Sequence, residues 1–79
     1  MARFTVLLYP EAEGGFSVLI PVLGVATQGE TIDEALAMAQ EITELQVKWL
    51  VEHNEPVLEE DEPPIVASVK VNIPVAASA

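Results

Sequence analysis

The chain has 79 residues, 51% of them hydrophobic, and 13 acidic against three basic side chains give it a net charge of −10. This length supports one domain with one core, and a domain so small buries only ~60% of the surface its unfolded chain exposes, so association is the expected default. The charge repels the phosphate backbone that dominates nucleic-acid affinity, so no direct DNA or RNA binding is expected; it suits a basic partner, or simply solubility.

There are no cysteines. Disulfides and thiolate metal sites are therefore excluded, and a reducing cytoplasm is the expected compartment. No stretch is long and apolar enough to span a membrane, and MARFTVLLYP lacks the basic flank, core length and cleavage site of a signal peptide.

In chain order, RFTVLLY (3–9) is rich in β-formers, and FSVLI (16–20) alternates Phe16, Val18 and Ile20 against Ser17 and Leu19. Both read as strands. Between them PEAEGG (10–15) carries Pro10 and the Gly14–Gly15 pair, which a chain reversal needs, so a hairpin is expected. PVLG (21–24) reads as a bend, because Pro21 cannot donate to a ladder and Gly24 permits unusual dihedrals. A short third strand over 25–28 follows.

TQGETIDEA (27–35) then marks a helix start. Gly29 is assigned to the turn. Thr31 and Glu34 have capping-box spacing, in which the hydroxyl accepts from the amide of Glu34 and the carboxylate returns to the amide of Thr31. Glu30, Asp33 and Glu34 put negative charge at the positive end of the helix dipole, where they would repel a phosphate. With no lysine beside them, a nucleotide loop is not expected.

The helix is expected over about 32–52. Ile32, Ala35, Leu36, Ala39, Ile42, Trp49 and Leu50 fall on one face, and Asp33, Glu41, Glu44, Lys48 and Glu52 on the other. Glu44 and Lys48 are spaced for an ion pair. Met38, Leu45 and Trp49 sit on one shoulder of the apolar arc, which is wider than packing on a small sheet requires; they either finish the core or form a protein-binding surface. His53 and Asn54 are expected to end the helix.

EPVLEEDEPP (55–64) is proline-bounded and acidic, with Glu59, Glu60, Asp61 and Glu62 in a row, and reads as a solvated linker. IVASVKVNIPV (65–75) has the cleanest period of two, with Ile65, Ala67, Val69, Val71, Ile73 and Val75 on one face and Ser68, Lys70 and Asn72 on the other. A long half-buried strand is expected, with Lys70 and Pro74 as edge-strand residues. AASA (76–79) reads as a frayed tail. The order is β-β-β-α-β, an α+β fold with a small antiparallel sheet and one long helix packed on one face.

PEAEGGFSV, PVLG and TQGETIDEALAMAQE, in this order and spacing, resemble the N-terminal domain of HicB-like antitoxins over about residues 4–52. The matching positions are Gly14, Gly15, Pro21, Gly24, Gly29, Thr31 and Glu34. The resemblance implies a partial ribonuclease-H-like fold without that fold's activity, and a role in neutralising a small basic toxin, HicA, that cleaves messenger RNA. It also implies dimers or larger assemblies. The family's bend usually has a second proline before the glycine, absent here between Leu23 and Gly24, and Val22 and Val25 stand where an acidic residue and a cysteine are common. Many members add a C-terminal DNA-binding domain, which is not expected within these 79 residues.

Catalysis is not expected. Two-metal nuclease chemistry needs several converging carboxylates, and FTVLLY offers none. Ser17, Thr27 and Thr31 have no base foreseen beside them, and His53 sits at a helix end. Glu59 to Glu62 lack the fixed ligand spacing of a calcium loop, so neither metal nor cofactor is expected. Two functions remain open. One is an antitoxin-like module that holds a basic RNA-cleaving protein through Met38, Leu45 and Trp49, with Glu59, Glu60, Asp61 and Glu62 mimicking RNA charge. The other is a stand-alone structural or regulatory homo-oligomer in which the shoulder and last strand pair with themselves.

Overall fold

The computed structural model describes residues 1–75, and the tail expected at 76–79 lies outside them. Three strands, β1 (Leu7–Pro10), β2 (Phe16–Ile20) and β3 (Val25–Gly29), precede one helix, α1 (Ile32–Glu52). The strands form an antiparallel sheet in the order β1-β2-β3. This is the expected α+β arrangement, with one difference at the C-terminal end.

Alternation explains the sheet. The register aligns Leu8 with Val18 and Val18 with Thr27, and Ile20 with Val25. Side chains paired across a ladder share a face, so these residues point together toward the helix. Val18 and Ile20 on the central strand are 1% and 0% exposed. Phe4, Val6, Leu8, Phe16, Val22, Leu23, Val25 and Ile42 pack around them and around Ala35 and Ala39. Regular pairing of β1 starts at Leu7 rather than at Arg3, although Phe4 and Val6 still reach the core.

The first hairpin closes as its composition requires. Gly14 and Gly15 take positive φ, 101° and 77°, and Glu11 donates its amide to the Gly15 carbonyl at 3.0 Å. In the second turn the Gly24 amide donates to Ile20 and Pro21 carbonyls.

Gly29 has a different role from the one its neighbours suggest. It ends β3 and is absent from the positive-φ residues. A Cβ placed on it would lie 2.5 Å from the Ala35 amide nitrogen and 2.6 Å from Ala35 Cα. Glycine is needed because strand and helix backbones touch there. Ala35 and Ala39, the buried helix residues, continue that close seam.

Thr31 caps α1, its hydroxyl accepting from the Glu34 amide at 3.0 Å. The return bond from the Glu34 carboxylate to the Thr31 amide is not among those formed by the described residues, so the capping box is half made. At the other end Asn54 has φ 57°, its amide donates to the Val51 carbonyl and that of Glu55 to the Leu50 carbonyl. These two bonds make a Schellman motif. Lys48 pairs with Glu52 at 3.9 Å rather than with Glu44, whose carboxylate accepts from Gln40 instead. Both partners of the ion pair are mostly exposed, so it contributes little.

The fourth strand is not formed. Residues 65–75 have no strand assignment and are exposed throughout. Val69 is 87% and Val71 77% exposed. The alternation is present in the sequence, but a strand needs a neighbour, and none of the three strands pairs with this segment.

Gly29→Ala forces the seam apart. It is expected to cost about 1–3 kcal/mol, as overpacking does, and Thr31→Ala about 1 kcal/mol from the lost cap; urea midpoints at unchanged m-value would show both.

Candidate functional site

The helix lies over β3 and β2, and this off-centre seat creates two unlike flanks. On the flank away from β1, Met38 is half-buried, Ile42 packs on the core, and Leu45 and Trp49 emerge to 61% and 50% exposure. The spacing 38, 42, 45, 49 gives one continuous stripe that passes from core to solvent. The Trp49 indole stacks on the His53 imidazole, with centroids 3.9 Å apart and planes 16° apart, and His53 Nδ1 lies 2.8 Å from the Trp49 carbonyl. His53 thus fixes the ring that the helix end presents. The sequence placed His53 at the helix end but carried no sign of this stacking.

On the opposite flank an open groove of about 570 Å³ runs between the segment that leads into β1 and the helix. Phe4 and Val6 form one wall, Leu36, Ala39, Thr43 and Val47 the other, with Glu44 and Lys48 at the rim. Among the described residues the edge of β1 beside it is unpaired, since β1 ends the sheet. The Glu11 to Gly15 bond fixes which backbone groups are free: by antiparallel alternation Leu7 and Tyr9 bond to β2, while Val6 and Leu8 face outward. Pro10, with no N–H to offer, also falls on the outward side. No local pattern in the sequence signals this groove, because it is defined by where the helix sits.

The acidic linker is less free than its composition suggests. Glu60 is half-buried, and its carboxylate accepts from the Thr5 amide. Glu59, Glu60 and Asp61 line a second cavity of about 360 Å³ with Met1, Ala2, Arg3, Thr5 and Pro63. Glu59, Asp61 and Glu62 remain exposed. The four carboxylates therefore divide into one that anchors the linker and three that face solvent.

The Ser17 hydroxyl donates to the Glu11 carboxylate, a partner the sequence did not foresee. The contact is exposed and ties the hairpin turn to β2. Among the described residues no three His, Cys, Asp or Glu side chains are placed to hold a metal ion, and no helix is long and apolar enough to cross a membrane.

The Glu60 contact has a measurable consequence. Glu60→Ala is expected to speed amide hydrogen exchange at Thr5 about tenfold, as loss of a hydrogen bond of about 1.5 kcal/mol to a charged group implies. Glu59→Ala should leave Thr5 unchanged.

No family model matches the chain. The UPF0150 protein ssr1765 of Synechocystis sp. is 39% identical over 60 residues, which cover 75% of this chain and 76% of that protein. The UPF0150 protein ssl0259 of the same organism is 37% identical over 54 residues, or 67% and 74% of the two chains. With the three-strand sheet, the capped helix and this extent of identity taken together, the chain belongs to the UPF0150 family.

Proposed function

We propose that this protein is a binding module of the HicB-like antitoxin type, without enzymatic activity of its own, which acts in the cytoplasm by holding a small basic mRNA-cleaving toxin of the HicA kind. Membership of UPF0150 supports the resemblance at the level of the family. The observation that carries the reading is the exposed Leu45 and Trp49 on a helix flank in a chain of net charge −10. Charge of one sign speeds encounter with a basic protein, and a few desolvated apolar anchors hold it. Met38 extends the patch into the core, so the anchors stand on a rigid base. Glu59, Asp61 and Glu62 supply solvent-facing charge next to an anchored Glu60, and occupy the partner's RNA-binding groove in place of phosphates.

A pull-down on the immobilised protein tests this. It should recover one small basic protein, released in part by high salt, that cleaves mRNA and stops doing so when the chain is added back. Leu45→Ala with Trp49→Ala should weaken that complex about a thousandfold, since hot-spot truncations cost about 2 kcal/mol or more each and 1.4 kcal/mol is tenfold in affinity. Neutralising Glu59, Glu60, Asp61 and Glu62 together should slow association and flatten its salt dependence. If the recovered protein does not act on RNA, or the chain does not inhibit it, the reading fails.

The second reading, a stand-alone structural or regulatory homo-oligomer, draws on the same exposed shoulder. It requires Trp49→Ala to dissociate the assembly, and an unchanged mass in light scattering would count against it.

A further inference from the structure

The exposed stripe on α1 adjoins carboxylates that the structure leaves without a cation. Glu41 and Glu44 stand three residues apart, so they are neighbours on the helix surface and repel each other. Lys48, one turn beyond Glu44, has the spacing to relieve them but pairs with Glu52 instead, at 3.9 Å. Glu44 accepts from the Gln40 amide at 2.7 Å, and that donor carries no charge. Among the described residues neither Glu41 nor Glu44 has an ion-pair partner. With Leu45 and Lys48 they line an open hollow of about 480 Å³.

The indole of Trp49 stands one turn past Leu45. Helical side chains lean toward the turn before them. His53 therefore covers the indole face on its own side, and the other face turns toward Leu45 and the hollow beyond it. Trp49 is not among the residues packed on the core and is 50% exposed, so this second face is open. The last turn of α1, where the helix dipole is negative, holds no basic residue. The patch thus presents an electron-rich ring face, an apolar step and two uncompensated carboxylates, all complementary to positive charge on an apolar stem.

We propose that this stretch of α1 is a two-point site for a basic segment of a partner protein. An arginine of that segment stacks its guanidinium on the open face of Trp49, and a second cation enters the hollow between Glu41 and Glu44. Arginine suits the first point because its planar, weakly hydrated group lies flat on an aromatic face, which an ammonium cannot do. The second cation supplies the charge that Lys48 directs to Glu52. Trp49 lies five to eight residues past the two carboxylates, which is about 8–12 Å along a helix. In an extended partner segment that distance separates cations about two to four residues apart. The inference rests on the proposed function for which protein carries the segment, and not for the site itself.

Trp49 is the one tryptophan of the chain, so its fluorescence reports the site directly. The probe is a short end-blocked peptide with two arginines separated by two glycines, titrated into the full chain at about 100 mM salt, where charges beyond about 10 Å are screened. A saturable change in Trp49 emission is expected, and the counterpart with two lysines should bind about threefold more weakly. Glu41→Gln with Glu44→Gln should weaken the arginine peptide about fivefold, as loss of two exposed ion pairs implies, with the helix signal in circular dichroism unchanged. Glu59→Gln with Asp61→Asn and Glu62→Gln removes more charge, from the linker, and should leave binding as it was. No saturable change, equal binding of the lysine peptide, or a linker variant that weakens binding as much as the helix variant would each overturn the site. A toxin recovered by pull-down and held equally well by the Glu41→Gln, Glu44→Gln chain would overturn the site and leave the proposed function standing. Peptide binding with the expected pattern, where no such toxin is recovered, would do the reverse.

Discussion

The contact between Gly29 and the first turn of α1 sets where everything else can go. Because no Cβ intervenes at the end of β3, the helix backbone approaches the strand at Ala35 as closely as two main chains allow. Ala35 and Ala39 keep the seam narrow further along, and Val18 and Ile20 on the neighbouring strand are sealed beneath it. Thr31 begins the helix two residues after the contact, so the direction in which α1 leaves the sheet is fixed by the glycine and the cap together.

A helix held that tightly against β3 and β2 cannot also cover β1. The sheet therefore has a sealed side and an open side. On the open side Phe4 and Val6 look into a groove and, among the described residues, no strand pairs with the outer edge of β1; on the other, the stripe from Met38 to Trp49 runs off the core into solvent. Both candidate binding surfaces are consequences of one packing decision, and they lie on opposite flanks of the same helix.

Much of the fold was legible in residues read by their neighbours. The positions of β2, of the double-glycine turn and of both helix ends followed from alternation, from turn chemistry and from capping, all of which depend on contacts within a few residues. The lone Trp49 and the apolar shoulder could likewise be located from helical spacing. The use of Gly29 is not legible in its neighbours: they suit a turn, whereas the residue is a point of backbone contact with Ala35. Nor could the pairing of Lys48 with Glu52, the engagement of Glu60 by Thr5, or the partner of Ser17 be foreseen, because each depends on which rotamer or distant segment comes near.

The segment 65–75 shows the same division most clearly. Its period of two, its lack of carboxylates and its bounding prolines are properties of the sequence alone, and they determine that it is suited to be a half-buried strand. Whether it becomes one depends on a neighbour to bond with, and a strand's hydrogen bonds are made entirely between segments. Local chemistry thus determined the elements and their ends. Only the tertiary structure decided which faces are closed, because burial is a property of two surfaces meeting and the sequence of one specifies only half of it.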